Sequence, residues 1–176
     1  MTGKSRSTRQ GALRDPLRPV LLDLLTDNQP QHRQETRRQA QLSHSELRQQ
    51  VLRDLQWLLN CASYESDHSL ADLPRVQHST LNYGIISLAG KRMSEIEWSD
   101  IRQSLGDAIQ RFEPRILPGT LQVRCLSELG SLELHNILSI ELAGQLWCEP
   151  FPIDFLFRSE MDLENGHVEL RDVGNP

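Results

Sequence analysis

The residues best suited to chemistry form one short run, Glu113-Pro114-Arg115. Glu113 could serve as the general acid of a glycosidase, with Asp107 or Glu128 as the second carboxyl group. A general acid must hold its proton, usually in an apolar pocket, whereas a cation such as Arg115 two residues away favours the ionised carboxylate. The alternative is that Glu113 and Arg115 form a structural ion pair at a helix end, with or without an outward contact to a partner.

Other catalytic and metal-binding patterns are absent from the sequence. There is no glycine-rich phosphate loop and no GxSxG nucleophile motif. The six histidines lack HxxxH or HExxH spacing, and Cys61, Cys125 and Cys148 include no CxxC pair. Aromatic residues make up 5% of the chain, which is few for a sugar-binding cleft. The sequence therefore predicts no cofactor, metal site or disulfide framework, and it favours a protein that is not an enzyme.

The element before the Glu-Pro-Arg run is a predicted amphipathic helix. Ser94 and Glu97 have the spacing of a capping box, and apolar side chains then recur at helical intervals over about 95–112. Pro114 ends this helix, because a proline disfavours the helical conformation of the residue before it. Glu113 is thus predicted to stand at the corner where the chain leaves the helix.

An earlier helix is predicted by the same signals. Ser43 and Glu46 form a capping-box pattern, and apolar residues then lie on one helical face over about 44–61. Residues 62–90 form a long irregular connection, and such connections often carry a functional surface. A candidate surface loop within this connection comprises Asn82, Tyr83 and Gly84.

Beyond residue 118 the apolar pattern changes to a period of two, which is typical of strands. The alternation predicts strands over about 121–126, 138–143 and 153–158. Asn165-Gly166 is a strong hairpin signal and leads into a short last strand at 168–170. Because helices come first and strands follow, the predicted class is α+β, with two main helices packed on a small, mostly antiparallel sheet.

The N-terminal part differs in charge from the rest of the chain. Residues 1–40 hold eight Lys/Arg and four Asp/Glu, a net of +4, and the remainder holds eleven and twenty, a net of −9. We predict a flexible, partly disordered basic arm at 1–42, with a short apolar segment, and a folded domain at 43–176. The arm has no aromatic residues to stack on bases, so we expect no nucleic-acid binding. No apolar stretch is long enough for a membrane span, so we expect a cytoplasmic protein without direct membrane insertion.

Several segments occur together in an order that is familiar from one family. They are LLDLLTD at 21–27, VLRDLQWLLN at 51–60, LNYGI at 81–85, RFEPRI at 111–116 and FRSEMDLENG at 157–166. In their order and spacing, these segments resemble the TssE family, the baseplate wedge subunits of bacterial type VI secretion systems. That family is similar to the lysozyme-like wedge protein of contractile-tail phages. The resemblance extends over about residues 17–172.

The resemblance implies a structural role, despite the lysozyme label. It implies that the chain joins TssF and TssG in the wedge, with TssK nearby, and initiates the contractile sheath by strand exchange with TssB and TssC. It carries the family's signature motif onto Glu113, Pro114 and Arg115 as the wedge contact. It also implies a cytoplasmic location at the apparatus docked on the inner membrane. The alternative is a peptidoglycan-cleaving, lysozyme-like hydrolase that uses Glu113.

Overall fold

The structure, a computed structural model, describes residues 20–26, 31, 42–90, 97–126 and 137–174. Most of the predicted arm, residues 1–42, lies outside the described residues. Within the arm, the structure describes a short helix, α1 (Leu21–Leu25). None of the helices in the described ranges is long and apolar enough to cross a membrane.

Within the described ranges, two main helices accompany a four-stranded antiparallel sheet, which confirms the predicted α+β class. The main helices are α2 (His44–Leu59) and α4 (Trp98–Phe112), and a single turn of helix, α3 (Pro74–Gln77), lies in the connection between them. The strands pair in chain order and are β1 (Gln122–Cys125), β2 (Ile137–Leu146), β3 (Ile153–Asp162) and β4 (Val168–Asp172).

The capping box predicted for α2 is present. The Ser43 hydroxyl accepts a hydrogen bond from the Glu46 N–H at 3.2 Å, and the Glu46 carboxylate accepts one from the Ser43 N–H at 2.7 Å. These bonds satisfy amide groups that the first helical turn leaves without partners. At the other end, the Asn60 side chain bonds both the N–H and the C=O of Val168, at 3.0 and 2.9 Å. The end of α2 is therefore fixed to β4.

The second main helix begins later than predicted. Its first residue is Trp98 and its N-cap is Glu97, whose side chain makes no capping hydrogen bond. A capping box would place Glu97 inside the first turn, but its backbone is extended, at φ −82° and ψ 107°. The predicted start is therefore wrong, and Ser94 lies outside the described residues. The helix ends at Phe112, as predicted from Pro114.

One apolar core lies between the two main helices and the sheet. Its members include Leu47, Val51, Leu55, Leu58 and Leu59 from α2, Ile101, Leu105, Ala108 and Ile109 from α4, and Leu138, Ile140, Leu142, Phe155, Phe157, Met161, Val168 and Leu170 from the sheet. The spacing of these residues follows the helical and strand periods, which is why the sequence pattern could predict them. Burial of each large apolar side chain, relative to leaving it exposed, stabilises the fold by roughly 1.5–3 kcal/mol.

The strands confirm the predicted alternation, and β2 and β3 extend further than predicted. The hairpin at Asn165-Gly166 is also confirmed, because the Asp162 N–H donates to the His167 C=O at 2.9 Å. Gly166 has a φ of 73°, a left-handed conformation that favours glycine. Among the described strands, β1 and β4 form the two edges of the sheet.

The connection between the helices is more ordered than predicted. Asn82 is only 2% exposed, and its amide accepts from the Glu65 N–H at 2.9 Å and donates to the Gln77 C=O at 3.1 Å. Gly84 is also buried, whereas Tyr83 is half-buried. The prediction of a surface loop is therefore wrong for Asn82 and Gly84. The physical reason is that the backbone of a buried irregular segment needs hydrogen-bond partners, and the Asn82 amide provides them.

Gly84 marks the closest approach of this connection to the end of α2. It has a φ of 128°, and a Cβ built on it would lie 2.4 Å from the Cys61 carbonyl oxygen. Two backbone hydrogen bonds of the next residue, Ile85, join the same segments: the Ile85 N–H donates to the Cys61 C=O at 2.9 Å, and the Ser63 N–H donates to the Ile85 C=O at 2.8 Å. Only glycine fits this contact, because a side chain would overlap the Cys61 carbonyl group.

Candidate partner-binding site at the Glu-Pro-Arg corner

The predicted run forms a tight corner at the end of α4. Glu113 is the C-cap of the helix, and its N–H donates to the Ile109 C=O at 2.8 Å. The Ile116 N–H then donates to the Glu113 C=O at 3.2 Å, which closes a turn with Pro114 at its second position. Proline suits this position because its ring fixes the required φ. Pro114 itself is exposed at the tip of the turn.

The end of β2 holds the chain that leaves the corner. The Trp147 N–H donates to the Arg115 C=O at 2.7 Å, and the Leu117 N–H donates to the Gln145 C=O at 2.8 Å. Between these bonds, Ile116 forms an isolated antiparallel bridge with Leu146. The corner is thus fixed to α4 on one side and to the sheet on the other.

Glu113 and Arg115 form the internal ion pair that the sequence suggested. The Arg115 guanidinium donates from Nε to Glu113 Oε1 at 2.7 Å and from Nη2 to Oε2 at 2.5 Å. The Arg115 backbone N–H also donates to Oε1, at 3.1 Å. The side chain of Glu113 is 4% exposed and that of Arg115 is 19% exposed. Two-point contact in this setting fixes both the position and the plane of the guanidinium.

The ion pair continues as a chain of alternating charges across three helices. Arg115 Nη2 also contacts Asp54 of α2 at 2.6 Å, and Asp54 contacts Arg53 at 2.8 Å. Arg53 in turn pairs with Asp23 of α1 at 2.5 Å. Each charge therefore has an oppositely charged neighbour, which offsets the cost of removing these groups from water.

The surroundings shift the pKa values of three groups in this region. Burial lowers the pKa of Arg115, but its hydrogen bond to Glu113 and the charge of that carboxylate raise it overall. The pKa of Arg53 is raised, mainly by its hydrogen bond to Asp23. Burial also raises the pKa of Tyr83, and nearby acidic groups add to this effect. Both guanidinium groups are therefore cations and the phenol is neutral at physiological pH.

A groove of about 370 Å³ lies beside the corner and is lined in part by Glu113, Pro114 and Arg115. This volume is at the lower end of the range of about 300–1,000 Å³ that is typical of ligand pockets. Its apolar lining includes Val20, Leu22, Trp57, Tyr83 and Phe112. The walls of the groove are therefore apolar, and the paired charges complete its lining.

Aromatic contacts hold two walls of this groove. Tyr83 packs edge-on against Phe112, with ring centroids 5.2 Å apart. The Arg53 guanidinium lies over the Trp57 ring at 5.0 Å, and Trp57 is 48% exposed. From the second predicted site, the loop at Asn82, Tyr83 and Gly84, the structure brings Tyr83 next to the Glu-Pro-Arg corner. It does not bring Asn82 into this groove.

Four residues of this site were missed by the sequence analysis: Asp23, Arg53, Asp54 and Trp57. The helical period places Asp54 and Trp57 beside the apolar stripe of α2, which would have been a usable signal. The period alone does not show which element packs against that flank. The contact between Asp54 and Arg115 joins residues 61 positions apart, and only the fold reveals it.

The geometry is not that of an acid–base pair. Both oxygens of Glu113 accept hydrogen bonds from Arg115, and Glu113 is only 3% exposed. A general acid must reach its substrate, and a carboxyl group that is buried and held at both oxygens by Arg115 is not presented to one. Of the two proposed partner carboxylates, Asp107 is exposed on α4 and Glu128 lies outside the described residues. In the ranges that the structure describes, no group of three or more His, Cys, Asp or Glu could hold a metal ion.

Comparison with known proteins identifies the family. The family model for the baseplate wedge protein gp25 matches residues 45–150, which is more than half of the chain and includes α4, the corner, β1, β2 and all but the first residue of α2. Comparisons with curated proteins and with solved structures gave no match. The chain therefore belongs to the family of the baseplate wedge protein gp25, a family of structural baseplate proteins, as its resemblance to TssE predicted.

Proposed function

We propose that this chain is a structural subunit of a type VI secretion baseplate. In this proposal it joins TssF and TssG in the wedge, near TssK, and initiates the sheath formed by TssB and TssC. It works in the cytoplasm, at the apparatus docked on the inner membrane. The observation that carries the proposal is the rigid Glu113-Pro114-Arg115 corner, within a chain of the baseplate wedge family.

The corner suits docking because it is rigid before a partner arrives. Its ion pair is internal, its backbone is bonded to α4 and β2, and Pro114 is presented to solvent. A surface that is already ordered loses little conformational entropy on binding. In this arrangement Glu113 and Arg115 position the corner, while Pro114 and the groove make the contact.

Substitution of Pro114 gives the cleanest test, because changes at Glu113 or Arg115 would also break the internal ion pair. We expect Pro114→Asp to reduce co-purification of TssF and TssG with a tagged chain and to leave the thermal unfolding midpoint close to that of the wild type. Pro118→Asp, at another exposed proline four residues later, is the matched control and should retain the partners. Equal recovery with both variants would rule out the corner as the wedge contact.

Sheath initiation by strand pairing needs an edge strand with available backbone groups. The described sheet offers β1 and β4 as edges, but Asn60 already bonds both backbone groups of Val168 in β4. We therefore assign sheath pairing to β1. In an antiparallel ladder, the N–H groups of successive residues point alternately towards and away from the neighbouring strand. The Leu126 N–H bonds to β2, so the Val123 N–H, three residues earlier, points away from β2.

A proline at that position separates strand pairing from folding. Val123→Pro removes an outward N–H and keeps the ladder with β2, so we expect loss of sheath assembly with retained binding of TssF and TssG. Val123→Ala keeps the N–H and is the matched control. Normal sheath assembly by the proline variant would exclude β1 as the pairing edge.

The described residues give the hydrolase alternative no support, and a turbidity assay on purified cell walls tests it directly. We expect no lysis by the purified chain. Lysis that Glu113→Gln abolishes would overturn the structural role.

A further inference from the structure

Helix α1 has its polar side turned towards the protein and its apolar side turned to solvent. Asp23 pairs with Arg53 of α2, and its side chain is 17% exposed. Leu21, Leu24 and Leu25 are 71%, 61% and 76% exposed. At 3.6 residues per turn these three leucines share an arc of about 100° on the side away from Asp23. A surface helix normally has the opposite orientation, with its apolar side facing the core.

The attachment of α1 to the domain is slight. No residue of α1 is buried, and the ion pair between Asp23 and Arg53 joins it to α2. Leu22, on another side of the helix, contributes to the groove beside the corner. The leucine face is therefore not needed to hold the helix, and it is available to another surface.

The charges next to this face are already paired. Arg53 contacts both Asp23 and Asp54, and its guanidinium also lies over the half-exposed Trp57 ring. A partner that recognises this region through phosphate or carboxylate groups would have to displace an existing ion pair. The surface instead favours an uncharged, aliphatic partner.

The spacing of the leucines indicates the form of that partner. Positions i, i+3 and i+4 are those that one helix presents to another in a packed seam, where each side chain inserts between side chains of the facing helix. The face lies beside the groove at the Glu-Pro-Arg corner, because Val20 and Leu22 of the same segment line that groove. One partner surface could contact both.

We propose that Leu21, Leu24 and Leu25 form a second docking face, which receives the aliphatic stripe of a helix from the wedge partner that contacts the corner. This inference rests on the proposed function, because it adds a contact for the same partner at the same groove. Arg53 connects the two contacts through Asp54 and Arg115. Binding of the partner then covers the leucines and stabilises α1.

The test uses the full chain and the TssF–TssG pair as the probe. The triple variant L21Q/L24Q/L25Q keeps residues that favour helix and removes the aliphatic face. We expect its Kd for the pair to rise about tenfold or more, because three exposed anchors are lost. The matched control L73Q/L81Q replaces two leucines that are 52% and 73% exposed elsewhere, and it should bind normally. Both variants should unfold at the wild-type temperature, since none of these side chains is buried.

A photo-crosslinking residue at Leu24 identifies the occupant. A cross-link that maps to an aliphatic helix face of TssF or TssG supports the inference. Cross-links solely to a second copy of this chain, or equal affinity of the triple and control variants, would overturn it. Weak binding of Pro114→Asp together with normal binding of the triple variant would remove this inference and keep the proposed function. A wild-type chain that never binds the pair would refute both.

Discussion

Replacing Arg115 with methionine removes the cation from the corner and keeps most of the side-chain volume. The change leaves the carboxylate of Glu113, whose side chain is only 4% exposed, without its two-point partner. Breaking a buried ion pair on one side costs about 3–5 kcal/mol. Because the Arg115 side chain is 19% exposed, water partly reaches this region, so we expect the lower end, about 3 kcal/mol.

The measurements are urea unfolding and thermal unfolding of the full chain, each followed by circular dichroism. A loss of about 3 kcal/mol should lower the thermal midpoint by roughly 6–12 °C for a domain of this size. The dependence of the unfolding free energy on urea should stay unchanged, because the same surface is exposed on unfolding. The double variant Glu113→Gln, Arg115→Met should recover part of the loss, because it no longer leaves a charge unpaired.

An exposed ion pair of the same type provides the control. Arg171 contacts Glu169 at 3.1 Å, but their side chains are 64% and 54% exposed. Arg171→Met should therefore leave the unfolding midpoint close to the wild-type value. If Arg115→Met shifted the midpoint no more than Arg171→Met, the internal ion pair would not be what holds the corner.

Three further predictions concern stability and reactivity. Gly84→Ala should lower the free energy of unfolding by at least about 2 kcal/mol, because the new Cβ would overlap the backbone near Cys61 and the φ of 128° is strained for alanine. Gly106→Ala in α4 has open space around the new Cβ and should be neutral or stabilising by about 0.5–1 kcal/mol. Similar effects of the two variants in urea unfolding would contradict this. Ser43→Ala should cost about 1 kcal/mol through loss of the helix cap. Hydrogen bonds from the Ser43 backbone N–H, and secondly from its side chain, hold the pKa of Glu46 below its ordinary value of 4.5, so this part of the stability is complete above that pH and is lost as the pH falls further. An acid unfolding curve unchanged by Glu46→Gln would disprove the coupling. Burial raises the pKa of Cys148, so iodoacetamide at pH 8 should alkylate it much more slowly in the native chain than in urea, and equal rates by mass spectrometry would refute this.

The two main helices and the strands could be predicted because their signals are local and repeat many times. The Ser43 and Glu46 cap, the stripe from Leu47 to Leu59 and the hairpin at Asn165-Gly166 are each confirmed. The start of α4 failed because the capping pattern is short, and Glu97 adopts the extended N-cap conformation instead. A capping pattern of two residues is a weaker signal than an apolar period that repeats over several turns, so the sequence predicts the helix more firmly than it predicts its start.

The candidate site could be predicted in part. Glu113, Pro114 and Arg115 were predicted to form a helix-ending corner, because a proline after a helix has one dominant local effect, whereas the internal ion pair was one of the alternatives that the sequence left open. The burial of Asn82 and Gly84, in the predicted surface loop, could not be predicted, since burial depends on which segments pack over a loop and not on the composition of the loop. The position of Tyr83 in the groove beside the corner also depends on the packing of distant segments.

By itself, the sequence determined the α+β class, the helix-ending corner at Glu113-Pro114-Arg115 and the family resemblance, because these depend on local patterns and on the order of those patterns along the chain. The tertiary structure alone decided that Asp54 and Arg53 extend the corner's ion pair to Asp23, and that the leucines of α1 face solvent. Charge pairing and burial between distant segments follow from the packing of elements, which no local pattern specifies.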